Sequence, residues 1–459
     1  MRGLVWLRTD LRQIDNTALF HASRECRDGL IVLHCIPQNL NTQAHFNQRQ
    51  YTAQQQQLID LQQGLAKLNI SLIIKTVENM NDIEHVILDL MQEHQLETLY
   101  FNARYDLAQR TQDRAITTAL EKAQLNVKHY TDHLIAPAGQ LLTPKDKPFT
   151  SLTAFKKAWQ GFLRHAQIHP HNNLEKQTVL LSAPSDTTLP FQEKITQAWP
   201  LEEKLAQSLL KPEHTSQLNT LYVHLINGLV SPRQFIQTLL HGEHQVDVWL
   251  DLLIAREFDQ HIMYHFPHIC NSKDFLPNMQ SLPWQKDPAL LSAWQNGQTG
   301  YPLIDASMRC LNQTGYLPED LLQASALFFT KVLFMDYRLG EDHFAKTRLD
   351  YEFATNNALW QWSASTGAES VIYARIPQPS RQSEVFDSTG EFIRQYCPEL
   401  ASINAIGIHD PHYHARDVVT AQNYPQPIVD YNAMRKKTIY NFKTLNKTLK
   451  SSDFIPENA

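Results

Sequence analysis

Cysteine is scarce in this sequence and forms no pattern. Cys26, Cys35, Cys270, Cys310 and Cys397 are scattered over 459 positions. Their odd number and the lack of any C-x-x-C spacing speak against a disulfide framework or a thiolate metal site, so they read as buried, reduced thiols. There is no apolar run long enough to cross a bilayer as a helix. The opening MRGLVWLRTDLR places charges where a secretory signal has its apolar stretch, so the expected location is the cytoplasm. Also missing are a G-x-G-x-x-G after the first strand, a P-loop, a G-x-S-x-G elbow and an H-E-x-x-H pair, which removes the commonest dinucleotide, nucleotide, hydrolase and zinc-protease fingerprints. Nor is positive charge in excess: the net charge is −6. Proteins that grip duplex nucleic acid neutralise phosphates with Lys and Arg, so any basic groove here has to be local.

Hydrophobic residues make up 42% of the chain and charged residues 19%, the balance of a globular protein. At roughly 100–200 residues per domain, the length calls for about two to three domains. The first 135 residues alternate two patterns. Short apolar runs at 4–7, 30–35, 72–77, 98–101 and 127–130 read as buried strands, and the stretches between them carry helical spacing, as in Leu58, Leu61, Leu65 and Leu68. This alternation implies parallel strands in an open doubly wound sheet, so an α/β N-terminal domain is expected over 1–134. Gln54–Gln57 starts one of the helices and reads as its solvated face. Pro137, Pro144, Pro148, Pro170, Pro184, Pro190 and Pro200 mark a long linker over 135–200, with one helix near Thr153–His165. From 201 to 459 the pattern is helical: 247–265 and 321–333 place Leu, Ile, Phe and Val three and four residues apart. An all-α domain is expected there, of the kind that binds cofactors between its helices.

Specific motifs lie along this frame. The opening reads Leu4-Val5-Trp6-Leu7-Arg8-x-Asp10-Leu11-Arg12-x-x-Asp15-Asn16-x-Ala18-Leu19. Later come Thr299-Gly300-Tyr301-Pro302, Asp305-Ala306-x-Met308-Arg309 and Asn356-Asn357-x-x-Trp360-Gln361-Trp362-x-Ala364-Ser365-Thr366-Gly367. Gln382-Ser383-Glu384-x-Phe386-Asp387, Gly390-Glu391-Phe392-Ile393-Arg394-Gln395 and Tyr424-Pro425-Gln426-Pro427-Ile428-Val429 follow. In this order, over nearly the whole chain, they resemble the class I members of the DNA photolyase/cryptochrome family. The resemblance implies an α/β domain, a linker and a helical domain holding FAD. It also implies blue-light-driven electron transfer to a cyclobutane pyrimidine dimer flipped out of DNA, since a stacked lesion cannot reach a buried cofactor.

The resemblance assigns residues as well. Asp350, Tyr351, Glu352 and Asn356 match the cofactor-binding stretch, with Asn356 at the asparagine that hydrogen-bonds flavin N5. Read alone, this stretch is a set of polar groups between two apolar helices that must find partners if buried; a loop capping the next helix is the other reading. Arg256, in Ala255-Arg256-Glu257-Phe258, matches an arginine of the flavin pocket, against the alternative of a helix-surface Arg–Glu pair. Trp360, Tyr337 and Trp284 match the inner, middle and outer members of a three-tryptophan electron relay, with tyrosine in the middle; plain packing is the alternative. Arg375 and Gln382 match positions used near DNA. His409, His412 and His414 are close enough to suggest a metal site, but in a chain with 21 histidines they read as a solvated loop, and no metal is expected.

The departures from the family are concentrated. Leu252 stands for an acid and Ala255 for an aromatic wall at the lesion. Glu319 and Asp320 stand for Asn and Arg, and Gln323 for a Met. Leu322 stands for the arginine that pairs with the Asp350 position. The hydroxyl-rich stretch that holds the FAD diphosphate is reduced to Thr215-Ser216-Gln217-Leu218-Asn219, three residues early. Ala108-Gln109 replace the Asn-Glu pair of the folate-type antenna, so the resemblance does not carry that antenna over. Two readings follow: a photolyase with a weak hold on damaged DNA, or a cryptochrome-like light-responsive flavoprotein with little or no repair. In both the protein is expected to be a monomer without a membrane partner.

Overall fold

Aliphatic, β-branched and aromatic residues dominate four short segments, and these are strands: β1 (Gly3–Leu7), β2 (Leu30–Pro37), β3 (Ser71–Val77) and β4 (Thr98–Asn102); β5 (Asn126–Tyr130) lies at the sheet edge, carries Lys128 and His129, and is largely exposed rather than buried as expected. They pair in parallel in the order β3-β2-β1-β4-β5. The structure is a computed structural model that describes residues 1–38, 46–171, 173–181, 200–211, 217–241, 246–369 and 375–451. It divides into two compact units after Pro267.

In the first unit, α1 (Thr17–Glu25), α2 (Gln48–Ala66), α3 (Ile83–Glu93) and α4 (Leu107–Lys122) alternate with the strands. Every residue of β1 is buried, as in a central strand covered on both faces. Period-2 alternation sorts its side chains. Leu4 and Trp6 pack with Ile87, Leu90 and Ile116 on one face, and Val5 and Leu7 with Leu19, Leu61 and Leu65 on the other. The expected doubly wound parallel sheet is therefore present. A second local expectation fails: Gln55 and Gln57 are buried rather than solvated. They stand three residues before Leu58 and four before Leu61, which places them on the inward face of α2.

The opening motif builds a buried polar knot where the strand order reverses, beside the carboxyl ends of β1 and β4. Asp10 accepts from Asn102 Nδ2 at 2.7 Å and from Asn16 Nδ2 at 3.2 Å. Asp132 accepts from Thr17 Oγ1 at 2.7 Å, from Arg233 Nη2 at 2.7 Å and from Arg12 Nη2 at 2.5 Å. Burial pushes the Asp132 carboxyl up, but the Arg12 and Arg233 guanidiniums outweigh it and hold the group well below the usual carboxylate range. The linker helix α5 (Leu152–His165) follows, then α6 (Glu203–Leu209), α7 (Leu218–Ile226), α8 (Pro232–His241) and α9 (Val246–His265). Pro184 and Pro190 of the expected linker lie outside the described residues.

The second unit is helical. Its main elements are α10 (Pro288–Gln295), α11 (Pro302–Thr314), α12 (Glu319–Leu327), α13 (Tyr337–Thr347), α14 (Phe353–Ala364) and α15 (Pro379–Phe386). Trp294, Phe329, Phe344 and Trp360 meet at its core with ring centroids 4.6 to 5.9 Å apart. The helix read from 321 to 333 changes type: α12 ends at Leu327 and continues as a π turn over Phe328–Val332. That turn carries the fully buried Lys331, whose Nζ meets Ser365 Oγ at 2.5 Å.

Candidate cofactor site and electron relay

Asp350 sits in the short connection between α13 and α14, buried. The arginine expected from the family is replaced by Leu322, which is 1% exposed and packs in the apolar core. Another arginine takes over. Arg348 grips Asp350 with both prongs, Nε to Oδ1 at 3.0 Å and Nη2 to Oδ2 at 3.2 Å. The carboxylate is thus paired after all, by a cation two residues upstream rather than one from α12. Tyr351 and Glu352 follow, half-buried, and Glu352 is the N-cap position of α14.

The first turns of α14 carry Asn356 and Asn357, both buried against α13. Asn356 Nδ2 donates to the Glu341 backbone oxygen at 3.0 Å. Asn357 Nδ2 donates to Glu341 Oε1 at 2.8 Å, and Gln361 Nε2 donates to Asn357 Oδ1 at 3.0 Å. Asn356 Oδ1 is buried and has no hydrogen-bond partner among the described residues. With Nδ2 turned to Glu341, Oδ1 faces away as a bare acceptor, the complement of a ring N–H. Sequence reading missed Glu341. Its place four residues after Tyr337, on the same face of α13, is the signal that marks it. Burial pushes its carboxyl up to about 7, against the donation from Asn357.

The residues expected in the relay are Trp360 on α14, Tyr337 at the start of α13 and Trp284 in the segment before α10. Trp360 of α14 is fully buried and its ring lies on Gly340 of α13, so close that a Cβ there would fall 2.1 Å from Cη2. Tyr337, one turn earlier on α13, is also fully buried. Just before it, Phe334 packs against Trp284 with ring centroids 4.8 Å apart and planes tilted by 38°, and the neighbouring backbones are joined by Gln285 N to Phe334 O at 2.9 Å. Trp284 is half-buried. Tyr337 and Trp360 thus belong to one apolar core, and Trp284 packs against its edge.

The remaining assignments are scattered. Arg256, on α9 in the first unit, is not part of a surface pair: it is buried and donates to His133, to the carbonyl at 3.0 Å and to Nε2 at 2.8 Å. Glu257 beside it is buried as well, taking N–H bonds from Ala136 at 3.1 Å and Trp159 Nε1 at 2.6 Å, and burial pushes it up to about 7. Arg375 is exposed and Gln382 half-buried on α15. Glu319 and Asp320 are exposed in the first turn of α12, and Gln323 Nε2 donates to Glu319 Oε1 at 3.1 Å. Leu252 and Ala255 are half-buried on α9. Thr215 and Ser216 of the phosphate stretch lie outside the described residues. Ala108 and Gln109 sit in the first turn of α4, where Gln109 N is capped by Asp106 at 2.9 Å. Among the described residues no histidine, cysteine and carboxylate cluster is arranged for a metal; His409 Nδ1 shares a 2.7 Å bond with Ser383 Oγ.

The chain is 32% identical to the deoxyribodipyrimidine photo-lyase of Escherichia coli (strain K12), over 97% of this chain and 99% of that one. It belongs to the DNA photolyase family. The family model for DNA photolyase matches residues 3–173, and that for the FAD binding domain of DNA photolyase matches 249–444, which includes Arg256, Asp350 and Asn356. The deoxyribodipyrimidine photo-lyase of Salmonella typhimurium is 33% identical over 97% of this chain and 99% of its own. Among solved structures, a class III photolyase from Agrobacterium tumefaciens superposes with a TM-score of 0.85 at 26% identity, over 97% of this chain and 98% of that one. An archaeal photolyase from Sulfolobus tokodaii, solved with two FAD molecules, gives 0.82 at 26% identity over 97% and 100%.

Proposed function

We propose that this chain is a blue-light-driven DNA photolyase that splits cyclobutane pyrimidine dimers with FAD. The observation that carries the reading is the amide of Asn356: its donor is tied to Glu341 and its buried acceptor is left over for a cofactor N–H. The family's FAD-binding domain and the two photo-lyase relatives support it. When bound, FAD supplies the photochemistry, an electron given to the dimer under blue light and recovered after it splits. The chain's own residues do the rest. Asn356 accepts from the ring edge, and Tyr351, Glu352 and the Arg348–Asp350 pair shape its polar surroundings, with Arg256 included on the resemblance. Trp284, Tyr337 and Trp360 refill the site with electrons from the surface. Arg375 and Gln382 meet DNA. Damaged DNA is the proposed substrate, gripped weakly, because Glu319 and Asp320 are exposed where the family offers an amide and a cation.

Those two exposed acids also favour a second reading, a cryptochrome-like light-responsive flavoprotein with little or no repair. Purification after growth with excess riboflavin, followed by a dimer-repair assay under blue light, separates the two. Flavin absorbance with light-dependent loss of dimers supports the photolyase. Flavin without repair favours the second reading. A colourless protein overturns both.

A further inference from the structure

Oxidising a buried tyrosine is a different problem from oxidising a tryptophan. A phenol that loses an electron while keeping its proton becomes a cation, and an unpaired charge in a buried site is costly. Tyr337 has an outlet. Its hydroxyl donates to Asp274 Oδ1 at 2.8 Å. Asp274 is fully buried in the loop after Asn271, and its second oxygen has no hydrogen-bond partner among the described residues. That loop is pinned on both sides of Asp274 by Gln361, the residue after Trp360: Phe275 N donates to Gln361 Oε1 at 2.7 Å, and Gln361 Nε2 to the Lys273 carbonyl at 3.3 Å. Arg338 Nη2 donates to Asp274 Oδ1 at 2.7 Å, and Arg338 Nη1 to Asp336 Oδ1 at 3.1 Å, which sets a cation against the carboxyl beside the phenol. Loop, phenol and inner tryptophan are thus one hydrogen-bonded and packed assembly.

We propose that Asp274 is the proton acceptor that makes Tyr337 a working middle carrier of the relay. This rests on the reading of Trp284, Tyr337 and Trp360 as an electron path. Trp360, having given an electron to excited, oxidised FAD, is the oxidant of the step. The Tyr337 O–H bond breaks; its electron fills Trp360 and its proton passes to Asp274 Oδ1. A neutral tyrosyl radical and a neutral carboxylic acid remain, so no new charge is buried. One electron from Trp284, itself refilled by a thiol in solution, reduces the radical while Asp274 returns the proton. Burial raises the proton affinity of the Asp274 carboxyl, which favours the transfer.

The test follows radicals rather than repair. Holoprotein carrying oxidised FAD and ring-deuterated tyrosine is flashed with blue light and read by transient absorption and EPR. A tyrosyl radical is expected that is lost in Tyr337→Phe and forms more slowly in D2O. Asp274→Asn slows its formation roughly 10²-fold, the low end of what a positioned base contributes, and abolishes the D2O effect; Asp274→Glu restores most of both. The D2O effect is read on the wild type, so it holds the idea to account even if Asp274→Asn folds poorly. Equal rates in H2O and D2O, an unchanged rate in Asp274→Asn, or tryptophanyl radicals alone overturn it. A second readout needs no flavin. In apoprotein labelled with ¹³Cζ-tyrosine, the Tyr337 resonance shifts in Asp274→Asn; an unmoved resonance counts against the hydrogen bond. Dimer repair by wild-type protein reduced chemically in the dark does not use the relay. Failure there strikes the proposed function, whereas absence of a tyrosyl radical from the illuminated wild type strikes only the Tyr337–Asp274 step.

Discussion

Glu341 makes folding itself pH-dependent. Burial raises its carboxyl from 4.5 to about 7 in the folded protein. The folded state then holds its proton to higher pH than the unfolded chain, so stability is complete below about 4.5 and is lost as pH rises through about 7. A shift of that size corresponds to roughly 3 kcal/mol. Glu341→Gln keeps the Oε1 acceptor for Asn357 and removes the titration. In urea unfolding of the variant, the loss of stability between about pH 5 and pH 8 is expected to shrink by roughly that amount relative to wild type. An unchanged difference would show that Glu341 ionises freely in the fold. Asn356 gives the companion case. Asn356→Ala removes the bare acceptor, and FAD retention is expected to weaken by about 1 kcal/mol, the net worth of one hydrogen bond, read by flavin fluorescence titration; equal affinity would take Asn356 out of the site. Neither residue's role is fully legible in sequence. Asn356 stands in a specific motif, but Glu341 is recognised only through its contacts. Arg348 shows the converse: the loss of an arginine at Leu322 is plain in the sequence, while its replacement from two positions before Asp350 becomes visible only in space.

At the scale of single elements, α12 shows how one turn serves two demands. Glu319 and Asp320 occupy its first turn, where the helix dipole favours negative charge by about 0.5 kcal/mol each. The same carboxylates repel a phosphate backbone. Changing Glu319→Asn and Asp320→Arg together is therefore expected to lower the melting temperature slightly while steepening the salt dependence of DNA binding, by about one unit of slope for each phosphate newly neutralised. A salt slope that does not move would place this turn away from the DNA. α12 also marks the limit of reading elements from periodicity. The apolar spacing over 321–333 identifies a helix, but spacing does not register the switch to a π turn at Phe328, which seats Lys331 against Ser365. The Gln54–Gln57 run misleads for a related reason: polarity points to solvent, whereas position relative to Leu58 and Leu61 sets the burial. Strands β1 to β4 are legible to within about two residues at each end because they are largely apolar, whereas β5 lies at the edge with Lys128 and His129 exposed, and the sequence pattern overstates its burial.

For the whole molecule, the question is how a chain of net charge −6 holds its substrate. Specific binding of a lesion needs cations on the backbone and a surface on which the flipped base stacks. Ala255 lacks that surface, which is worth about 1–3 kcal/mol per base. Glu319 and Asp320 each add repulsion of about 1 kcal/mol near a phosphate in water. At about 1.4 kcal/mol per power of ten, the losses add to roughly two to three powers of ten in affinity. Undamaged duplex meets the same acids but never needs the stacking surface, so the missing aromatic falls on the lesion alone. Duplex containing a cyclobutane dimer is therefore expected to bind less than about tenfold more tightly than undamaged duplex at physiological salt, in a fluorescence anisotropy titration. Changing Glu319→Asn, Asp320→Arg and Ala255→Trp together is expected to recover part of the preference, the aromatic contributing to discrimination and the charges to overall affinity. A strong preference for the dimer in the wild type would mean that Arg375, Gln382 or other groups build a lesion site by a different arrangement. Recovery from the charge changes without the tryptophan would mean that repulsion alone, and not the missing stack, limits the enzyme.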